Sequence, residues 1–270
     1  MIFVHTPKAG GTTIRGIMHR QYGKRNCYET TKTNISQLLA LPEYEKDKIK
    51  VLQGHRILGL WGLHKHFNKD VIYITMLRDP IDRVISHYYY NLLGFSSNKK
   101  IISNNYSLKD YVQNGIFPNA ENRQVKELSG NPDIPYGTCT REMLETAIRN
   151  IDAQFDMVGI MEYFDESLIM LMLKFGWWYP FYRKRNVTHN RPRKADIDKE
   201  TLKVIEKHNQ LDIELYQYAK EKFEHRLEEM DDTFYKKLKV FRKINPYFKI
   251  PGEIKNFMTS AYRKFIDKQD

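Results

Sequence analysis

Short apolar runs of strand length alternate along the chain with longer segments in which apolar residues recur at helical spacing. The runs that predict buried strands are residues 2–5, 51–53, 71–77 and 155–160. The segments that predict helices are residues 12–22, 80–93, 165–176 and 195–229. Strands that alternate with helices indicate an α/β fold, in which crossover helices flank a parallel sheet. Ligands of such sheets bind at the carboxyl ends of the strands, so polar motifs at these ends are the candidates for a functional site.

The composition suits a folded chain with a substantial core. The chain has 270 residues, of which 41% are hydrophobic and 13% aromatic, and this excludes a disordered protein. We predict one P-loop-like domain over residues 1–230. We predict a helical extension, rich in basic and aromatic residues, over residues 231–270, either packed on the domain or trailing it.

No segment of the chain has the pattern of a membrane span. Met1 leads directly into the strand-like Ile2-Phe3-Val4, without a signal-peptide pattern. The longest apolar stretch, residues 168–178, is short, contains Lys174 and cannot cross a bilayer. Two cysteines are too few for a disulfide framework or a cysteine metal site. We therefore expect a cytoplasmic protein, although an anchor removed from the N-terminus stays an open alternative.

The charge balance points to an anionic partner. The formal net charge is +11, which favours nucleotides, nucleic acids, acidic polysaccharides or a membrane surface. The charge alone does not choose among these partners, so the choice depends on the motifs.

Residues 5–13, His-Thr-Pro-Lys-Ala-Gly-Gly-Thr-Thr, join the first predicted strand to the first predicted helix. Glycines let the backbone approach a ligand closely, and the N–H groups of the loop and of the helix N-terminus then form a cradle for an anion. Lys8 adds a positive charge, while Thr12 and Thr13 add hydroxyls. The lysine of a Walker A loop follows the glycines, whereas Lys8 precedes them, which argues against an ordinary ATPase or kinase. A tight turn with an exposed lysine is the purely structural alternative.

Residues 78–86, Arg-Asp-Pro-Ile-Asp-Arg-Val-Ile-Ser, place an arginine just before the helix that follows the strand at 71–77. Asp79 and Pro80 supply a helix N-cap and a first helical residue. Ser86 follows about two turns later, and helical side chains lean toward the N-terminus. An arginine fork with a nearby hydroxyl suits a phosphate monoester. The structural alternatives are a salt bridge for Arg78 and an ordinary helix serine for Ser86.

The two motifs, HTPKAGGTT and RDPIDRVISHYYY, resemble those of the sulfotransferases, and specifically of the heparan sulfate 2-O- and 6-O-sulfotransferases. Together, in this order and at this distance, they are a far more specific signal than either motif alone. The resemblance extends to about residue 225 through further similar segments at 122–125, 155–159, 165–167, 186–188 and 208–216. Residues 122–124 lie where the family builds either part of its acceptor cleft or the polar support of the site.

The resemblance implies an α/β enzyme that transfers a sulfuryl group from 3′-phosphoadenosine 5′-phosphosulfate (PAPS) to a hydroxyl group, without a metal ion. It implies that the 5′-phosphosulfate is bound by Lys8, Ala9, Gly10, Gly11, Thr12 and Thr13. It implies that the 3′-phosphate is bound by Arg78 and Ser86. A basic loop near the adenine in the family corresponds to residues 183–188, where Arg185 and Thr188 are the candidates. The product nucleotide would be adenosine 3′,5′-bisphosphate.

His55 is the candidate general base. The acceptor hydroxyl must lose a proton as its oxygen meets sulfur, and a positioned base contributes about 10²- to 10⁴-fold. A histidine is mostly neutral at pH 7, because its reference pKa is about 6.5. The related enzymes use a histidine or glutamate from this region, and Gly54-His55 resembles the Gly-His step of one branch. Gln53 departs from that branch, which has a second histidine there, and His5 is the second candidate. Lys8 would be the catalytic cation that meets charge on the leaving phosphate.

Two basic segments of the chain lie outside the two phosphate motifs. Residues 183–194 carry six Lys or Arg and no acid, and are either a solvated loop or a wall of the nucleotide and acceptor site. Residues 235–265 carry nine Lys or Arg against one acid. They are either helices packed on the domain or a surface for a polyanion or a membrane.

We expect a hydroxylated acceptor, such as an acidic glycan or a small molecule, and no nucleic acid. Two alternatives stay open. A P-loop nucleotide kinase would turn over ATP with Mg²⁺. A non-catalytic polyanion-binding module would lack PAPS turnover.

Overall fold

One parallel sheet forms the centre of the protein. The computed structural model describes residues 1–30, 35–54, 67, 70–92, 105–183 and 192–248. Within them, five parallel strands lie in the order β2-β3-β1-β4-β5. The strands are β1 (Ile2–Val4), β2 (Cys27–Thr30), β3 (Val51–Gly54), β4 (Tyr73–Leu77) and β5 (Phe155–Ile160). Val4 pairs with Gly54 on one side and with Thr75 on the other, so the carboxyl ends of three strands share one edge.

Helices connect the strands and flank the sheet, which confirms the predicted α/β class. In the described ranges they are α1 (Gly11–Tyr22), α2 (Ile35–Leu39), α3 (Glu43–Lys46), α4 (Pro80–Leu92), α5 (Leu108–Gln113), α6 (Arg123–Leu128), α7 (Arg141–Gln154), α8 (Phe164–Phe175), α9 (Lys199–His208), α10 (Gln210–Glu228) and α11 (Asp232–Ile244). Every residue of β1, β3 and β4 is buried, as expected for parallel strands with both faces covered.

The two helices that matter for the site begin where their sequences predict. Helix α4 is capped by Asp79, whose Oδ1 accepts a hydrogen bond of 2.9 Å from the N–H of Asp82. Helix α1 begins at Gly11, one residue before the predicted start, and ends at Tyr22, which is followed by Gly23 with a φ of 83°. Gly23 therefore adopts the left-handed φ that favours glycine after a helix.

Other elements differ from the prediction or were not predicted. The long pattern at 195–229 is two helices, α9 and α10, separated at Asn209. The buried Asn209 amide donates to the carbonyls of Ala120 and Ile205. Its side chain therefore stabilises the break between the two helices. Strand β2 went unpredicted because it is only four residues long and its second half, Glu29 and Thr30, is polar, with Glu29 bonded to Arg15.

Helix α11 confirms that the C-terminal part contains a helix, and it packs against α8. The ring of Phe241 stacks on Phe181 with centroids 5.4 Å apart, and Arg242 bonds to Glu166 over 2.6 Å. A domain boundary at residue 230 stays a prediction, as does the role of residues beyond 248. Among the described residues, no helix combines the length and the apolar character that a membrane crossing requires.

Candidate functional site

The loop between β1 and α1 has the geometry of an anion cradle. Lys8 and Gly10 adopt left-handed φ values of 69° and 76°. A Cβ on Gly10 would come within 2.9 Å of Met161 Sδ and of the Phe164 ring. A Cβ on Gly11 would overlap the ring of His5. The loop can therefore take this shape only with glycine at both positions.

The N-terminus of α1 faces this loop without a side-chain cap. The Gly10 carbonyl accepts hydrogen bonds from the N–H groups of Thr13 and Ile14, and the first turn contains no acidic residue. The first N–H groups of a helix have no partner within the helix and carry a partial positive charge, so they favour an anion. Thr6 is 1% exposed, and its hydroxyl oxygen has no hydrogen-bond partner in the part of the chain that the structure describes. The residues present thus fit an anionic group.

Helix α4 contacts the loop through an aromatic ring. The ammonium nitrogen of Lys8 lies 3.7 Å from the centroid of the Tyr90 ring, a cation–π contact. Nothing in the run of three tyrosines at 88–90 indicates this contact in the sequence. Ser86 is 6% exposed and lies four residues before Tyr90. Because residues four apart share a helix face, Ser86 lies on the face of α4 that Tyr90 turns to the loop.

The two predicted anion-binding motifs touch each other. Nη1 of Arg78 donates a hydrogen bond of 3.1 Å to the main-chain carbonyl of Lys8. Arg78 lies between the end of β4 and the start of α4, at the same edge of the sheet as the first loop. The structure therefore brings Lys8, Gly10, Gly11, Thr12, Thr13 and Arg78 together in one place.

Residues 122–124 support the anion-binding site through buried polar contacts. Asn122, Arg123 and Gln124 are 7%, 1% and 0% exposed, which favours polar support over an acceptor cleft. The Gln124 side chain makes two hydrogen bonds to the main chain of Arg78. The Asn122 side-chain oxygen accepts from the N–H of Asp212, at the start of α10.

A buried ion pair lies behind the arginine motif. Arg83 and Asp212 are both fully buried, with Arg83 Nε 3.7 Å from a carboxylate oxygen of Asp212. Burial raises the pKa of Asp212, while Arg83 and the N–H groups of Gln124 and Val125 act in the opposite direction. Burial likewise lowers the pKa of Arg83, opposed by the Asp212 charge. Sequence reasoning missed this pair, although Asp212 next to apolar residues in a helical segment was a usable signal.

Glu162 links the end of β5 to the start of α4. One carboxylate oxygen accepts from the N–H of Asp79 over 3.1 Å, and the other accepts from the hydroxyl of Tyr216 over 2.9 Å. Burial, and then the Glu162 charge, raises the pKa of Tyr216. Glu162 therefore fixes the residue that follows Arg78.

Three of the predicted site residues, His55, Arg185 and Thr188, lie outside the described residues. Their roles stay predictions. The described residues on either side reach the site: Lys194 lies 3.6 Å from the Asp79 carboxylate, and Tyr182 packs on Phe164 with ring centroids 5.0 Å apart.

His5, the second candidate for the base, is half-buried. Its ring stacks on Phe3 at 5.5 Å and lies against Gly11. These contacts favour a packing role. In the described part of the chain, no group of three or more His, Cys, Asp or Glu residues could hold a metal ion.

Comparison with known proteins shows the family of this chain. The sequence model of the Sulfotransferase family matches residues 1–219, which include both anion-binding motifs and the residues that support them. The chain belongs to the sulfotransferase family. The predicted resemblance is thus confirmed, and the family is one of enzymes that transfer sulfate.

Curated relatives cover most of this chain. Galactose-3-O-sulfotransferase 3 of Mus musculus is 26% identical over 80% of the chain, which spans 54% of that relative. Heparin sulfate O-sulfotransferase of Drosophila melanogaster is 23% identical over 91% of the chain and 78% of the relative. Heparan sulfate 2-O-sulfotransferase 1 of Xenopus laevis is 22% identical over 87% of the chain and 74% of the relative. The chain therefore spans about half of one relative and about three quarters of the other two.

Proposed function

We propose that this sulfotransferase moves a sulfuryl group from PAPS to a hydroxyl group of a glycan. The observation that carries the proposal is the hydrogen bond between Arg78 and the Lys8 carbonyl, which joins two cationic anion-binding motifs at one sheet edge. PAPS carries anionic groups at both its 5′ and 3′ ends, so it needs two such sites. ATP has no 3′-phosphate and would leave the Arg78 site unused.

The described residues offer groups that would hold the donor and stabilise its leaving phosphate. The donor, when bound, provides an electrophilic sulfur and a phosphate leaving group. Lys8 and the N–H groups at the start of α1 would stabilise the negative charge that grows on the leaving phosphate. Arg78 and Ser86 would hold the 3′-phosphate. These residues keep the nucleotide fixed while the acceptor oxygen approaches sulfur, which lowers the entropic part of the barrier.

His55 completes the proposed mechanism from outside the described residues. Its imidazole would take the proton of the acceptor hydroxyl as the new oxygen–sulfur bond forms and the old sulfur–oxygen bond to phosphate breaks. The proton stays on the imidazole, and adenosine 3′,5′-bisphosphate leaves. Arg185 and Thr188 would contact the adenine side of the donor.

A sugar hydroxyl is the acceptor class that the relatives favour. Their names specify galactose, heparin sulfate and heparan sulfate, all of which offer sugar hydroxyls. The net charge of +11 favours the acidic members of this class. Contact with a membrane surface through the basic tail and a cytoplasmic location stay predictions, which cell fractionation would test.

The deciding experiment is a turnover assay with PAPS and a panel of acidic and neutral glycans. We expect release of adenosine 3′,5′-bisphosphate together with a glycan heavier by one sulfuryl group in the mass spectrum. Glycan binding without PAPS turnover across the panel would favour the non-catalytic polyanion-binding module. Turnover of ATP with Mg²⁺, and none of PAPS, would favour a nucleotide kinase.

A further inference from the structure

We propose that Gln124 is a positioning residue that aims Arg78 at the 3′-phosphate and, through Arg78, holds the Lys8 loop. The inference rests on the proposed function, because it assumes that Arg78 binds a phosphate. Gln124 itself touches neither nucleotide nor acceptor in this account. It acts on the main chain of Arg78.

The contact between the two residues is reciprocal. The N–H of Arg78 donates to Oε1 of Gln124 over 2.9 Å, and Nε2 of Gln124 donates to the carbonyl of Arg78 over 3.0 Å. Arg78 follows the last residue of β4 and precedes the first turn of α4, so its main chain belongs to neither ladder nor helix. The Gln124 amide therefore satisfies both the N–H and the carbonyl of Arg78, as a neighbouring strand would for a residue in a sheet.

Gln124 is itself immobilised. It is 0% exposed, and its own N–H donates to the Asp212 carboxylate over 3.0 Å. The other carboxylate oxygen of Asp212 accepts from the N–H of Val125 over 2.8 Å. Asp212 in turn pairs with Arg83, five residues after Arg78. The position of Arg78 is thus fixed to a rigid, buried network rather than to the surface.

The side chain of Arg78 extends this support to the loop between β1 and α1. The guanidinium of Arg78 reaches the carbonyl of Lys8, a residue held at φ 69°. A non-glycine residue in this region costs free energy and persists only where its surroundings hold it. Gln124 sets the main chain of Arg78, and the Arg78 side chain then supports the carbonyl of the strained residue.

Only an amide of this length can make both contacts. Methionine has a similar length and shape but neither donates nor accepts a strong hydrogen bond. Gln124→Met should therefore leave the core filled while freeing the Arg78 main chain. We expect about a tenfold weaker affinity for adenosine 3′,5′-bisphosphate, the loss that matches two ordinary hydrogen bonds. Affinity for AMP, which lacks the 3′-phosphate, should fall clearly less, because AMP reports only the indirect effect of the change on the Lys8 loop.

A double-mutant cycle separates positioning from general damage. Calorimetric titration would compare the wild type, Gln124→Met, Arg78→Ala and the double variant. In the Arg78→Ala background we expect Gln124→Met to cause no further loss of affinity for adenosine 3′,5′-bisphosphate, because the group that it aims is gone. An additional tenfold loss in that background would overturn the inference and leave a merely structural role.

Two controls complete the test. Leu238→Ala removes a buried side chain of α11 away from this network, and should lower Tm without changing the preference for the 3′-phosphate. If the wild type binds adenosine 3′,5′-bisphosphate no better than AMP, the proposed function fails. If the wild type prefers it and Gln124→Met keeps the full preference, only the inference about Gln124 fails.

Discussion

The guanidinium of Arg78 donates to the main-chain carbonyl of Lys8 over 3.1 Å, although the two residues are separated by 70 positions in the chain. Two motifs that the sequence presents as separate are therefore parts of one site. A change in one should alter ligand binding by the other.

Nucleotide preference should follow the 3′-phosphate. We expect adenosine 3′,5′-bisphosphate to raise Tm by several degrees, and AMP or ATP with Mg²⁺ to raise it far less. A ligand at a hundredfold excess over Kd stabilises the folded state by about 2.7 kcal/mol. Thermal shift measurements at matched ligand concentrations would check this, with Arg78→Ala as the variant that should lose the difference. Equal shifts by AMP and the bisphosphate in the wild type would remove the assignment of Arg78.

The charge of Lys8 should matter more for turnover than for binding. We expect Lys8→Ala to lower kcat by about 10²- to 10³-fold, the usual cost of removing one group that stabilises transition-state charge. Affinity for adenosine 3′,5′-bisphosphate should fall much less, because the loop N–H groups remain.

Lys8→Gly separates charge from backbone strain, since glycine relieves the left-handed strain at φ 69° but restores no cation. Turnover should therefore be as low in Lys8→Gly as in Lys8→Ala. Lys48→Ala, at an exposed ion pair with Glu45, should leave kcat unchanged. Full activity of Lys8→Ala would contradict the proposed mechanism.

The ring of Tyr90 should orient the Lys8 ammonium. We expect Tyr90→Leu to lower kcat by about 2- to 30-fold, because a cation–π contact is worth roughly 0.5–2 kcal/mol. Tyr90→Phe keeps the ring and should stay close to the wild-type rate. Steady-state kinetics of the two variants would measure the difference. An equal loss in both would assign the effect to the Tyr90 hydroxyl instead.

His55 should set the pH dependence of the rate. We expect His55→Ala to lower kcat by about 10²-fold with little change in nucleotide affinity. The wild-type rate should rise with pH as the imidazole loses its proton near its reference pKa of about 6.5, and the variant should lack this rise. A pH–rate profile in which both proteins keep the same limb would redirect the search to His5, with His5→Ala as the next variant.

Asp212 should be worth far more to stability than an exposed carboxylate. We expect Asp212→Ala to lower the free energy of unfolding by about 3–5 kcal/mol, because it leaves the charge of Arg83 buried without its partner. Glu214→Ala removes an exposed carboxylate that pairs with Arg141, and should cost less than about 1 kcal/mol. Urea unfolding of both variants would compare them. Similar losses of unfolding free energy in the two variants would mean that the buried pair of Arg83 and Asp212 contributes no more to stability than an exposed pair does.

The local features of the fold could be predicted because they depend on residues close together in the chain. Helix α4 starts at Pro80 behind the Asp79 cap, and β4 is a run of five buried residues. Such signals are complete within a few residues. The glycines at 10 and 11 likewise announced a close turn, and the structure shows the side chains that require them.

The support of the site could not be predicted, because it comes from distant parts of the chain. Gln124 reads as an ordinary polar residue until Arg78 lies beside it, and Tyr90 reads as a core aromatic until Lys8 lies over its ring. No local pattern reports that a side chain will meet a main chain 46 residues away. The boundary between α9 and α10 was missed for the same reason, since the Asn209 amide binds Ala120 across 89 residues.

Asn122 and Asp212 share a hydrogen bond although they are 90 positions apart in the chain. This separation in sequence has a consequence for the order of folding. The loop at 5–13 and Arg78 both leave the ribosome before Asp212 does, because they precede it in the chain. Asp212 is synthesised much later, and domains fold largely as units once their sequence is complete. A nascent chain that ends before residue 209 has both anion-binding motifs but no anchor for Gln124. We therefore expect the nucleotide site to mature only after Asp212 has been synthesised, so that ribosome-bound fragments ending before residue 209 would not retain adenosine 3′,5′-bisphosphate.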